Sequence, residues 1–323
     1  MKLLLCGNVQ LGAVSTEPLD ENQSRKWRSA RDEKLEGLME QALQSGAAYV
    51  ALFGRLFGQE RTSEAVIDGF FHAVQTQPGL QFLVVLDAAE WKRLSYRNDV
   101  PSNLHLLHGA AQDTYLDERI ALRLQNGDVL LQPGDHETLR ISRDAQGRFT
   151  LSGLPEPGVI PSFEPIGFED AQHGPFGYGL LEWDDGGLGA YRLCGGAQFA
   201  YKTIELKILA EDEASDILRK LNRALDAMEA DTFLRITLSG RSAFGLSIST
   251  DRLKRQLEGR VFYAELYDNT VMDIDEEAFE NDISLRSEFV RLALQDGSLS
   301  ESERNRLICC GWNVLSGKEV AGE

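Results

Sequence analysis

An α/β fold built on a parallel sheet is what the sequence predicts, and three observations predict it. Residues 2–5, 47–53 and 82–86 are short, nearly unbroken apolar runs, the pattern of strands buried on both faces. Stretches with helical apolar spacing lie between them. The helical stretches end at Gly46 and at Pro78-Gly79, residues that stop helices. Strand, helix, strand, helix, strand implies right-handed crossovers and parallel pairing.

Taken in order, residues 2–5 form the first strand and empty into a polar loop carrying Asn8 and Gln10. The carboxyl end of such a strand is where α/β sheets place ligand chemistry. Arg25, Lys26, Arg28, Arg31 and Lys34 then crowd the start of a helix. They read as a solvated face, with a phosphate-contacting patch as the alternative. Leu35, Leu38, Met39, Ala42 and Leu43 give that helix its apolar side. A second helix covers about 63–74, with Val66, Phe70 and Ala73 on one side. Residues 104–107 and 129–131 read as two further strands, ending at His108-Gly109 and Pro133-Gly134-Asp135-His136.

Beyond these the texture turns antiparallel. Residues 138–142 and 149–152 flank the turn Asp144-Ala145-Gln146-Gly147, a hairpin signal. A Pro/Gly-rich stretch covers 154–167, and strands at 178–183 and 203–209 follow. From about residue 210 a separate α+β module begins, with helices at 214–228 and 253–257 and strands at 233–238 and 261–266. Helices near 284–294 and 302–315 come last. The expected domains are therefore 1–209 and 210–323.

Composition narrows the function classes. The 323 residues carry a net charge of -18, opposite to the basic field that displaces counterions from nucleic acid. Cys6, Cys194, Cys309 and Cys310 show neither a C-x-x-C pair nor zinc spacing, so no disulfide framework or structural zinc is expected. The apolar run before Cys6 is far shorter than a signal-peptide core, and no later run reaches membrane-spanning length. The expected location is the cytoplasm. The acidic run Asp273, Asp275, Glu276, Glu277, Glu280, Asp282 lacks EF-hand spacing and reads as a solvated face. The glycines from Gly174 to Gly179 are not followed by a helix opening on Lys-Ser/Thr, which argues against a phosphate loop.

The strand ends also carry a family pattern. Asn8-Val9-Gln10-Leu11-Gly12, Gly54-Arg55-Leu56-Phe57, Leu86-Asp87-Ala88-Ala89, His108-Gly109 and Pro133-Gly134-Asp135-His136 fall in one order. That order resembles the D-x-H-L-G, G-D-L-F, G-N-H-D, H-G and G-H-x-H motifs of the calcineurin-like metallophosphoesterases. More narrowly the chain resembles the SbcD-type DNA repair exonuclease subunits and their YhaO-like relatives. Ile166-Gly167-Phe168, the stretch from Gly174 to Gly186, Ser284 to Phe289 and Gly311 to Leu315 extend the likeness over nearly the whole chain. The resemblance implies layered β-sheets flanked by helices, with a smaller C-terminal α+β capping domain.

At the positions that resemble metal ligands, the chemistry is altered. A two-metal phosphoesterase needs carboxylates and imidazoles around a shared ligand. Here Asn8 is neutral, Arg55 is cationic, and Gln10, Ala88 and Gly134 stand where the family has histidines; Asp87, His108 and His136 remain. A guanidinium stays protonated, so Arg55 is expected to stand in for the metals and pair with Asp87, while Asn8 and Gln10 hydrogen-bond across the emptied site. No cofactor is then expected. The resemblance implies a catalytically inactive homologue that partners an SMC-like ATPase of the SbcC or YhaN type and meets DNA only through that complex. Two alternatives stay open. One is a manganese- or other divalent-cation-dependent phosphodiesterase or exonuclease with a rearranged site on Asp87, His108 and His136, with Asp135 as a further candidate ligand. The other is a binding module in which Arg55 captures a phosphate or nucleotide.

Overall fold

The computed structural model describes residues 1–58, 62–108, 114–125, 128–243, 250–274, 279 and 282–316. The chain divides into two compact units, Met1–Phe199 and Ala200–Glu323.

In the first unit, β1 (Lys2–Gly7), β2 (Tyr49–Phe53), β3 (Gln81–Leu86) and β4 (Leu104–His108) pair in parallel. Two antiparallel strands, β11 (Tyr178–Asp184) and β12 (Gly187–Cys194), extend the sheet beyond β1 to give the order β12-β11-β1-β2-β3-β4. Helices α1 (Glu21–Ser45), α2 (Glu64–Gln75) and α3 (Ala88–Leu94) follow the first three strands, and the one-turn α4 (Phe168–Ala171) comes before β11. A capping box opens α1: Asp20 accepts from the Gln23 amide at 2.7 Å, and Gln23 Oε1 accepts from the Asp20 amide at 3.1 Å. Gly46, left-handed at φ 75°, closes it. Leu43, expected on the apolar face, is exposed in the last turn of α1.

A second six-stranded sheet is an antiparallel meander. Its strands are β5 (Thr114–Asp117), β6 (Ile120–Gln125), β7 (Asp128–Pro133), β8 (Leu139–Arg143), β9 (Phe149–Ser152) and β10 (Gly158–Ile160), paired in sequence order. The predicted hairpin is β8–β9. The strand expected at 129–131 is β7; it belongs to this meander and not to the parallel sheet.

Alternation along β1 explains its unbroken apolar run. Leu4 and Cys6 pack with Leu35, Leu38, Met39 and Phe70 from the helices. Leu3 and Leu5 pack with Leu122, Leu131, Ile141 and Leu151 from the meander. Both faces are covered, so neither can be polar.

In the second unit, β13 (Ala200–Ile208), β14 (Thr232–Ala243) and β15 (Tyr263–Asp268) pair in parallel, and the short β16 (Val271–Asp273) also pairs with β14. Ile217, Leu221 and Leu225 of α5 (Ala214–Leu225) and Leu253 and Leu257 of α6 (Thr250–Leu257) pack with Leu234, Ile236 and Leu238. Helices α7 (Leu285–Gln295) and α8 (Glu301–Leu315) enclose a separate small cluster around Val290 and Ile308. The unit begins about ten residues before the expected boundary at 209/210, because β13 pairs with β14 along its whole length. Much of the acidic run, including Asp275, Glu276, Glu277 and Glu280, lies outside the described residues. Among the described residues, no helix is long and apolar enough to cross a membrane.

Candidate functional site

The carboxyl ends of β1 and β2 are joined through their following turns. Asn8 N–H donates to Phe53 O at 2.8 Å, Gln10 N–H to Arg55 O at 3.1 Å, and Leu11 N–H to Leu56 O at 2.8 Å. This pairing holds Asn8 and Gln10 in left-handed backbone, at φ 46° and 53°. Asparagine tolerates that region; glutamine has less local compensation there. Strained non-glycine backbone persists where neighbouring bonds over-determine it, and it concentrates at functional sites.

Side chains continue the cross-linking. Asn8 Oδ1 accepts from the Arg55 amide at 3.4 Å, and Asn8 Nδ2 donates to Ser162 Oγ at 3.3 Å. Ser162 is brought there by the segment after β10, which bonds to β1 through Gly7 N–H to Pro161 O and Phe163 N–H to Gly7 O, both 2.8 Å. Gly54 stands beside Asn8 at φ 77°, where a Cβ would lie 2.4 Å from Asn8 Oδ1. Asn8 therefore bonds to Ser162 and main chain, whereas Gln10 is held through its backbone.

The expected Arg55–Asp87 ion pair is not formed. Both residues are exposed, and Asp87 is the N-cap of α3, where Oδ1 accepts from the Ala89 and Glu90 amides at 2.9 Å. A solvated guanidinium needs no buried counter-ion, and two amide donors give the carboxylate a stronger local offer. Arg55 and Asp87 instead line one cavity of about 300 Å³ with Glu90 and Arg93. Ala88 is the exposed first residue of α3. His108 ends β4 opposite Leu86, its ring stacked on Trp91 at 5.5 Å between centroids. Gly109 lies outside the described residues.

Gly134 and His136 do not join this group. They occupy the turn after β7, where Gly134 (φ 54°) donates its amide to Arg119 O at 2.8 Å. His136 Nε2 lies 2.6 Å from Asp184 O. Asp184 follows Trp183, whose amide reaches Met1 O, so His136 is at the amino end of β1. At ~3.3 Å per residue, that end is about 20 Å from Asn8. Asp87, His108 and His136 therefore cannot ligate one ion together, and Asp135 shares the remote turn with His136. Asn8, Gln10, Arg55, Asp87, Ala88 and His108 are the predicted positions that share one sheet end.

Four further residues hold the site: Arg31 and Lys34, which the solvated-face reading of the basic run places in solvent but which point into the protein, and Glu90 and Glu164, for which the sequence carries no expectation. Arg31 is buried, donating to Val9 O at 3.0 Å, Gln10 O at 3.4 Å and Pro165 O at 3.3 Å, with its guanidinium 4.8 Å from the Trp27 ring centre. Lys34 forms an ion pair with Glu164 and also donates to Phe163 O at 2.8 Å and Gly196 O at 2.6 Å. Glu164 is 2% exposed and accepts the Gln198 amide at 2.7 Å. Burial pushes its carboxyl above the usual range, against the pull of Lys34. Glu90 Oε1 accepts from the Leu56 and Phe57 amides at 2.9 and 2.8 Å, fixing the turn after β2. Its Oε2 is buried without a hydrogen-bond partner among the described residues, and burial raises this carboxyl too. Spacing does mark part of this set: Trp27, Arg31, Lys34 and Leu38 fall on the helical stripe that faces the core.

The chain matches no protein-family model and no curated protein. The site must be read from its donors. Asp87 spends an oxygen on two amides, Asn8 is committed to Ser162 and the Arg55 amide, and Arg55 brings positive charge. Among the described residues, no three His, Cys, Asp or Glu side chains converge on a point where they could hold a metal. This donor set does not fit a two-metal centre.

Proposed function

We propose that the chain is a catalytically inactive relative of the calcineurin-like metallophosphoesterases, of the SbcD or YhaO kind, acting as an interaction or regulatory partner of an SMC-like ATPase in the cytoplasm. The observation that carries this reading is the use of the sheet end for structure. Asn8 ties β1 to Ser162, Asp87 caps α3, and Arg55 stands exposed beside them. The sequence motifs, in order along the chain, support the family; two stacked sheets with the parallel strand ends on one side are compatible with it. The net charge of -18 supports contact with DNA only through a partner. Affinity purification of the tagged full chain from its native host tests the partner: an SMC-like ATPase in the eluate is expected, and its absence after cross-linking would overturn that assignment.

A further inference from the structure

Helix α1 carries a second feature that the sheet-end site does not use. Arg25, Arg28 and Arg31 recur every three residues, a spacing that places them on neighbouring turns of one face. All three line a cavity of about 400 Å³, together with Asp32, Gly12 and Val66. Like charges at this spacing destabilise an isolated helix, so their grouping in a chain of net charge -18 asks for a compensating partner.

The three guanidiniums are placed differently. Arg31 is the fixed one, held by the carbonyls of Val9, Gln10 and Pro165. Arg28 donates from Nε to Ser24 O at 3.2 Å, an anchor that spares its terminal nitrogens. Arg25 meets Glu21 at 3.3 Å in a pair open to solvent on both sides, the kind worth little. Among the described residues, Asp32 is the one that supplies a carboxylate to the cavity wall, so their lining is net cationic. Gly12 keeps the opposite wall open: at φ 67°, a Cβ there would lie 3.2 Å from both Val66 methyls.

We infer that this notch binds the phosphate groups of a small phosphorylated molecule, with Arg25 and Arg28 clamping the oxygens and Arg31 anchoring the notch to the turn after β1. Planar guanidinium forks match phosphate oxygens in a bidentate way that lysines do not. A concave notch on one helix side suits a compact oligophosphate. A duplex backbone would instead need an extended basic track, which the acidic balance of the chain opposes. This inference is independent of whether the sheet end is catalytic or which protein the chain partners.

Calorimetric titration of the full chain with inorganic pyrophosphate, in about 0.1 M salt to screen non-specific attraction, tests it. Saturable one-site binding is expected, and R25Q/R28Q weakens it by about tenfold or more. Both positions are exposed, so the unliganded double variant unfolds at the same temperature as the parent or higher. Arg28→Lys, which keeps the charge and loses the fork, falls between the two. No saturable binding, equal affinity for citrate, unchanged affinity in the double variant, or tighter binding of a short DNA duplex would each overturn the inference.

Discussion

Glu164 is the most enclosed carboxylate among the described residues. It is almost wholly enclosed, and Lys34 neutralises it while also binding two carbonyls. Removing one member of a buried pair strands the other, at a cost of about 3–5 kcal/mol. Glu164→Ala is therefore expected to lose about that much in denaturant unfolding, and adding Lys34→Met should recover part of it. Cys6 makes a second residue-scale test. Its thiol is fully enclosed within the sheet and lies 3.3 Å from Gly177 O; burial lifts its pKa to about 12. Thiolate is the reactive form, so thiol-labelling mapped by mass spectrometry should modify exposed Cys310 first and reach Cys6 only on unfolding. Labelling of Cys6 in the folded chain would contradict this burial.

At the scale of elements, the paired turns after β1 and β2 position the site, and Gly54 is one of their closest approaches. Gly54→Ala forces a Cβ against Asn8 Oδ1 and to 2.9 Å from the Phe149 ring in left-handed backbone. A loss of about 1–3 kcal/mol is expected in thermal or chemical unfolding, whereas Gly147→Ala, with open space around its Cβ, should cost less. The parallel strands were legible because burial on both faces leaves an unbroken apolar signature. Strand β12 was not, since a solvent-facing edge strand of sequence GLGAYRLC shows no apolar run. Nor was the allegiance of β13, because pairing with β14 is decided some thirty residues later in the chain.

For the whole molecule, the lesson lies in what a motif order can and cannot place. Asn8, Arg55, Asp87 and His108 were located by following strand ends, since consecutive parallel strands deliver their carboxyl ends to one side. His136 was mislocated because β7 runs in a separate antiparallel sheet, and short strands do not declare which sheet they join. The Lys34–Glu164 pair spans 130 residues, a separation no local pattern encodes. At the sheet end Asn8, Asp87 and Glu90 hold turns together while Arg55 stands exposed, with no converging metal donors among the described residues. The most direct test is a manganese-supplemented assay of the full chain on a chromogenic phosphodiester, run beside His108→Ala. Turnover no higher than the protein-free rate is predicted for both; manganese-dependent turnover that His108→Ala abolishes would contradict an inactive site.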